Sequence, residues 1–132
     1  MRDIDKIIIH ATDTPPSLDV TVGMIDEWHK AKGWSGCGYH FLIDRFGLTH
    51  IGRPIDRAGA HTKGHNKHSI GIAIAGGFKG KFDFASRQIS ELHHLALELA
   101  MIYDIKEIFG HNDFDDGKEC PCFDVKAFFM LD

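Results

Sequence analysis

Two histidines and one cysteine are the residues of this chain whose types and spacing suggest metal chemistry. His10 comes directly after the apolar run IIIH, and His111 ends a second short apolar segment. Cys120 follows His111 by nine residues, enough loop for the chain to return to the same point. Zinc accepts imidazole nitrogen and thiolate sulfur, and three protein ligands leave a fourth position for water. The pattern suggests a catalytic zinc site, while ordinary packed histidines and a buried cysteine stay open as an alternative.

Two predicted strands have to bring these ligands together. The run Ile7–Ile9 is β-branched on successive residues, which predicts a strand covered on both faces. A second short strand is predicted near residues 105–109, directly before His111. Because a sheet fixes a side chain at a strand end while leaving it beside a cleft, we expect both histidines at one edge of the sheet.

The remaining apolar residues follow helical spacing in two segments. Thr21 is expected to cap a helix that buries Ile25 and Trp28 and that ends near Gly33. A longer helix is predicted over residues 86–103, with its buried face formed by Ile89, Leu92, Ala96, Leu99 and Ile102.

Alternating and continuous apolar runs predict further strands. Residues 38–44 alternate, which predicts a strand that turns into a second strand over residues 48–52. One face of this first strand is predicted to hold Tyr39, Phe41 and Ile43, and the other His40, Leu42 and Asp44. Residues 70–74 form a further buried strand. The chain is therefore predicted to be one α/β domain over residues 1–132, with a central mixed sheet flanked by about three helices.

Composition excludes several classes of function. The formal charge of −4 and the scattered lysines argue against broad binding to nucleic acid. No apolar run approaches the roughly 18 to 20 residues of a membrane span. The first residues, MRDIDKIIIHAT, lack the pattern of a signal peptide, so synthesis in the cytoplasm is expected. Three cysteines, with Cys120 and Cys122 too close for an easy disulfide, favour metal binding or burial over a disulfide framework.

Six segments occur in the order found in the zinc N-acetylmuramoyl-L-alanine amidases: IIIHAT, WHKAKGW, GYHFLIDRFG, GAHTKGHN, SIGIAIAGG and HNDFDDGKECPCFD. The chain is similar to the small amidase lysozymes of T-odd coliphages and, more distantly, to animal peptidoglycan recognition proteins. The resemblance covers nearly the whole chain. Its most specific parts are GYHF after a Trp-containing helix and Lys-x-Cys-Pro before Phe-Asp.

The resemblance assigns roles residue by residue. It implies one Zn²⁺ per chain on His10, His111 and Cys120, a catalytic tyrosine at Tyr39 and a catalytic lysine at Lys118. His61 and Lys63 become candidates for sugar or peptide contact. The implied reaction is hydrolysis, by zinc-activated water, of the amide between the lactyl group of N-acetylmuramic acid and L-alanine. The implied setting is a phage or prophage endolysin that acts on peptidoglycan or muropeptides after holin-assisted release.

The chain departs from relatives at two positions. Some relatives carry a glutamate at the position of Ala73, where it can accept a proton near the zinc. Cys122 stands where serine is common, and it is expected to be a passive small residue.

Other functions remain to be weighed against the amidase. A module that binds peptidoglycan without cutting it usually loses a zinc ligand, whereas Cys120, Tyr39 and Lys118 are all present here. Tyr39 could also be a core residue and Lys118 a solvated loop charge. The T-odd phage amidases bind a phage RNA polymerase, so such a partner is implied by resemblance alone. A glycosidase is disfavoured because no paired carboxylates stand out. We expect a monomer.

Overall fold

A five-stranded sheet forms the centre of the structure, a computed structural model that describes residues 2–129. Its strands are β1 (Lys6–Ala11), β2 (Phe41–Ile43), β3 (Thr49–Ile51), β4 (Ser69–Ile74) and β5 (Glu107–Gly110). They lie in the order β3-β2-β4-β1-β5, and only the β2–β3 pair is antiparallel. The predicted mixed sheet is confirmed. The domain predicted over residues 1–132 also includes residues 1 and 130–132, which lie outside the described residues.

Three helices cover the sheet: α1 (Val22–Ala31), α2 (Ser86–Ile102) and α3 (Val125–Phe128). The Thr21 hydroxyl accepts a hydrogen bond from the Met24 N–H at 3.1 Å, which confirms the predicted cap of α1. α2 and α3 pack on one face of the sheet and α1 on the other. None of the helices in the described residues combines the length and apolar character that crossing a bilayer requires.

The two faces of the sheet carry side chains of different size. On the α2 face, isoleucines alternate along the two central strands: Ile7 and Ile9 from β1, and Ile70, Ile72 and Ile74 from β4. Side chains in a strand alternate between faces, so Gly71 and Ala73 of β4 lie on the α1 face, where Ala73 packs against Leu42 and Ile25. The small side chains of β4 leave room on this face beside His10.

Three details of the sequence prediction are wrong. Trp28 is exposed, and His29 takes the buried position on α1 instead, because it follows the buried Ile25 by four residues. Ile102 is 64% exposed, since α2 has passed beyond the edge of the core by its last residue. Tyr39 packs with Leu42 on the α1 face rather than with Ile43, because β2 begins only at Phe41 and the alternation does not extend back to residue 39.

His40, directly before β2, is hydrogen-bonded through its side chain to β4 and to the Arg57 carbonyl. Its ring is fully buried, and Nδ1 accepts a hydrogen bond from the Gly71 N–H at 3.0 Å. Its Nε2 therefore carries the proton and donates to the Arg57 carbonyl at 2.8 Å. Burial lowers the pKa of His40 to about 4, with the Arg57 carbonyl acting in the opposite direction.

This burial makes the fold sensitive to acid. The unfolded chain protonates His40 near its ordinary pKa of about 6.5, whereas the folded chain does so near 4. The unfolded state therefore binds more protons in this window, and folding stability falls as the pH drops from about 6.5 towards 4, by up to about 3 kcal/mol for this residue. We expect the free energy of unfolding, measured in urea, to fall less between pH 7 and pH 4.5 in a His40→Gln variant than in the unchanged protein. An exposed control, His94→Gln, should lose as much as the unchanged protein; equal losses in all three would contradict the assignment.

Candidate metal centre and cleft

His10, His111 and Cys120 form one cluster of potential metal ligands. Each offers one ligand atom, and the three atoms lie within 4.8 Å of one another. His10 is on β1, and His111 is the first residue after β5. Because β1 and β5 are parallel neighbours, their carboxyl ends meet on the same side of the sheet. The ring centroids of the two histidines are 4.7 Å apart.

Backbone hydrogen bonds hold Cys120 against β1 and β5. The Ala11 N–H donates to the Cys120 Sγ at 3.0 Å, and the Asn112 N–H donates to the Cys120 carbonyl at 2.8 Å. The loop between His111 and Cys120 is thus tied to the sheet at its far end. The sulfur is held in place by the strand that carries the first histidine.

Burial controls the protonation of the cluster. It lowers the pKa of His10 well below the ordinary value, and His61 and His111 nearby lower it further. Burial also lowers the pKa of His111, followed by the charge of Lys118. Both rings are therefore neutral at pH 7, with a lone pair for a cation. Burial raises the pKa of the Cys120 thiol to about 12, with the Ala11 N–H acting in the opposite direction, so this thiol keeps its proton at neutral pH. A cation that binds the sulfur would displace this proton to solvent.

Two imidazoles and a thiol are a donor set that fits zinc. Zinc sites are built from His nitrogen and Cys sulfur, and a set of three protein ligands is typical of a catalytic rather than a structural site. Residues 2–129 supply three ligand atoms within reach of one another. Cys122 is not one of them: it lines the cleft, and its Sγ donates to the Gly77 carbonyl at 3.7 Å.

A cleft of about 770 Å³ opens in front of the cluster. Six of the seven predicted site residues line it: His10, Tyr39, His61, His111, Lys118 and Cys120. The seventh, Lys63, is exposed and is not among the lining residues. The structure therefore brings together residues from positions 10 to 120 of the chain, and it leaves Lys63 apart from them.

Tyr39 and Lys118 both line the cleft in front of the cluster. The Tyr39 ring lies 5.1 Å from the His10 ring, centroid to centroid. Burial raises the pKa of Tyr39 above its ordinary value, and the nearby Cys120 acts in the same direction. The phenol is therefore protonated at neutral pH. Lys118 is exposed at the mouth of the cleft, two residues before Cys120.

His61 points inward and contacts the cluster. Its Nδ1 lies 2.8 Å from the Nε2 of His10, and its Nε2 lies 3.2 Å from the Ser69 hydroxyl. Burial lowers the pKa of His61 to about 3. The contact of His61 and Lys63 with sugar or peptide stays a prediction.

The structure adds one residue that the sequence left unassigned. His29 of α1 is buried against the cleft, and its Nδ1 accepts a hydrogen bond from the Gly38 N–H at 2.8 Å. Its ring packs between Trp34 and Tyr39, at centroid distances of 4.5 and 5.3 Å. His29 thus supports the segment that carries Tyr39. Its spacing of four residues from Ile25 allows a place on the buried face of α1, but the three-residue spacing of Trp28 allows the same, so the sequence carried no signal that selects His29.

The position of Ala73 beside the site is confirmed by strand register. Ala73 of β4 pairs with His10 of β1, so the two side chains are neighbours on the same face of the sheet. A methyl group therefore stands next to the candidate ligand His10.

Comparison with known proteins decides the family. A family model described as N-acetylmuramoyl-L-alanine amidase matches residues 1–123. The chain belongs to the N-acetylmuramoyl-L-alanine amidase family. The endolysin of Escherichia phage T7 is 40% identical over 129 residues, a match that covers 95% of this chain and 85% of that protein. The family and the fold predicted from the sequence are confirmed.

Solved structures agree with this amidase assignment. The N-acetylmuramoyl-L-alanine amidase LysC from Clostridium intestinale URNW superposes with a TM-score of 0.84 at 34% identity, covering 96% of this chain and 85% of that chain. Drosophila PGRP-LB gives a TM-score of 0.78 at 24% identity, covering 96% and 79%, which shows the same fold.

Proposed function

We propose that this amidase hydrolyses peptidoglycan at the amide between the lactyl group of N-acetylmuramic acid and L-alanine, as an endolysin acting on the cell wall. The observation that carries the proposal is the cluster of His10, His111 and Cys120 in one cleft with Tyr39. The family model, which spans residues 1–123, and the similarity to a phage endolysin support the reaction and the substrate.

His10, His111 and Cys120 would hold the zinc ion. Zinc held there would polarise the scissile carbonyl and lower the pKa of a water molecule to about 7. The neutral rings of the two histidines suit this role, because a protonated imidazole cannot bind a cation. The burial of His10 excludes bulk water from the back of the site.

Lys118 and Tyr39 would both act on the substrate in the cleft. The Lys118 ammonium, at the mouth of the cleft, would stabilise the negative charge that develops on the carbonyl oxygen during attack. Tyr39 keeps its proton on Oη and would donate a hydrogen bond to the attacking water or to the carbonyl oxygen. These two side chains separate a hydrolase from a domain that only binds metal.

Two other functions receive less support. A binding module without hydrolysis would not need a lysine and a tyrosine beside a complete set of ligands. The family model points to amide cleavage rather than to cleavage of sugar linkages. Holin-assisted release, a polymerase partner and a monomeric state stay predictions from the resemblance.

Digestion of purified peptidoglycan is the direct test of the reaction. We expect new L-alanine amino termini to appear, without new sugar reducing ends, and we expect a chelator to stop the release. Reducing ends without amino termini would show a glycosidase and overturn the proposal. Binding to peptidoglycan with no release of either group would show a recognition module.

The metal assignment is tested by a matched pair of cysteine variants. Cys120→Ser should lose most of its zinc, because a serine hydroxyl is a far weaker ligand than a thiolate. Cys122→Ser should keep about one zinc per chain and its activity, since Cys122 is outside the ligand cluster. Metal analysis after dialysis measures both. Loss of zinc from both variants to the same degree would contradict the ligand set.

The role of Lys118 is tested by Lys118→Met, which keeps the length of the side chain and removes its charge. We expect kcat to fall by about 10²- to 10³-fold, the usual loss when one group that stabilises the oxyanion is removed. Zinc content should stay unchanged. The control Lys106→Met removes another exposed lysine, paired with Asp104 away from the cleft, and should leave kcat as it is. Full turnover in the Lys118 variant would remove this role.

A further inference from the structure

We propose that His61 is a positioning residue for the metal ligand His10: it holds the Nε2–H of His10, which turns Nδ1 of that ring towards the metal. The inference rests on the proposed function, because it takes His10 as a ligand. It gives His61 a role inside the protein instead of the contact with sugar or peptide expected from the sequence.

The hydrogen bond selects which nitrogen of His10 binds the metal. Nε2 of His10 lies 2.8 Å from Nδ1 of His61, so Nε2 is engaged and its lone pair is not available to a cation. Nδ1 is left for the metal. The Cys120 sulfur supports this choice, since it lies 3.0 Å from the backbone nitrogen of Ala11, the residue after His10, and Nδ1 is the ring nitrogen nearer to the main chain.

The same contact fixes the proton positions along a short chain of groups. When Nδ1 of His10 is a ligand, its Nε2 carries the proton and donates to Nδ1 of His61. The proton of the neutral His61 ring is then on Nε2, which is 3.2 Å from the Ser69 hydroxyl and donates to it. Ser69 is fully buried at the start of β4, so the chain ends on a rigid part of the sheet.

The backbone forms a slot that accepts the His61 ring. A Cβ atom added at Gly71 would lie 2.6 Å from the His61 Cδ2, and one added at Gly59 would lie 2.5 Å from the same atom. Both positions need glycine while the ring occupies this place. A ring held from two sides by main chain, and only 8% exposed, is suited to hold a neighbour rather than to follow a substrate.

One other group lies close enough to share the role. The Thr62 hydroxyl is 3.3 Å from Nε2 of His10 and 3.0 Å from Nδ1 of His61. The shorter distance from His10 is to His61, at 2.8 Å. The single lone pair of His61 Nδ1 accepts from the nearer His10, so the Thr62 hydroxyl is the weaker partner of His10, and a Thr62→Val variant separates the two.

The experiment compares three substitutions of His61. Asparagine places an oxygen near the position of Nδ1 and keeps the acceptor for His10, whereas glutamine reaches the position of Nε2 and alanine keeps neither. We expect His61→Ala and His61→Gln to bind zinc about 10- to 100-fold more weakly, as when other partners of metal-bound histidines are removed. His61→Asn should recover most of the affinity. Competition with a chelator measures zinc affinity without reference to activity.

Cobalt replaces zinc for a second measurement, because its visible absorption reports the geometry of the ligands. The spectrum should change in His61→Ala and His61→Gln and should remain close to that of the unchanged protein in His61→Asn. Thermal unfolding of each metal-free variant confirms that it is folded. If the His61→Ala protein does not fold, the comparison of His61→Asn with His61→Gln still tests the inference.

Three outcomes would overturn the inference. Unchanged zinc affinity and cobalt spectrum in His61→Gln, together with a raised KM, would make His61 a substrate contact. Weak zinc binding in Thr62→Val but not in His61→Gln would assign the role to the threonine. Equal losses in His61→Asn and His61→Gln would show that the ring only fills space. If the unchanged protein binds no zinc, the proposed function fails first, and the two failures are distinguishable.

Discussion

The parallel pairing of β1 with β5 is the constraint on which the site depends. It brings the carboxyl ends of two strands about a hundred residues apart to the same side of the sheet, with Lys6 opposite Glu107 and Ile9 opposite Gly110. A shift of one residue in this register would move His10 to the α2 face, because neighbouring side chains point to opposite faces. The buried isoleucines of β1 oppose such a shift, since it would also turn Ile7 and Ile9 out of the core cluster that they form with α2.

The same packing sets the chemistry of the ligands. The small side chains at Gly71 and Ala73 leave room to bury the His10 imidazole on this face. Because the surroundings are apolar, they do not stabilise the charged form of the ring. The histidines stay neutral because the protein excludes water around them. The stability of the sheet and the readiness of the site to accept a cation therefore have one origin, the burial of β1 and β4.

Much of this arrangement could be predicted from the residues themselves. The run of three isoleucines predicts a strand covered on both faces, and Thr21 predicts the start of α1. Motif order predicted the family, and residue types and spacing singled out three candidate ligands that the structure brings together. Tyr39, Trp28 and His61 show what sequence patterns do not predict. Two-residue alternation does not reveal where a strand begins, so Tyr39 was placed on the wrong face. Helical spacing does not distinguish Trp28 from its neighbour His29. Nothing in the local sequence reveals that Gly59 and Gly71 leave a slot for the His61 ring.

The charges of the groups around the proposed metal site affect the reaction, and the neutral His61 in its slot is one of these groups. Two neutral imidazoles and one thiolate leave a divalent cation with a net charge of +1, so its power to polarise a carbonyl is largely kept. A carboxylate hydrogen-bonded to His10 would raise the basicity of that ligand and reduce this charge. His61 and Ser69 are neutral, and Ala73 places only a methyl group beside the ring. Together with the Lys118 ammonium at the mouth, the proposed metal site would keep an excess of positive charge where the carbonyl oxygen of an amide would become negative.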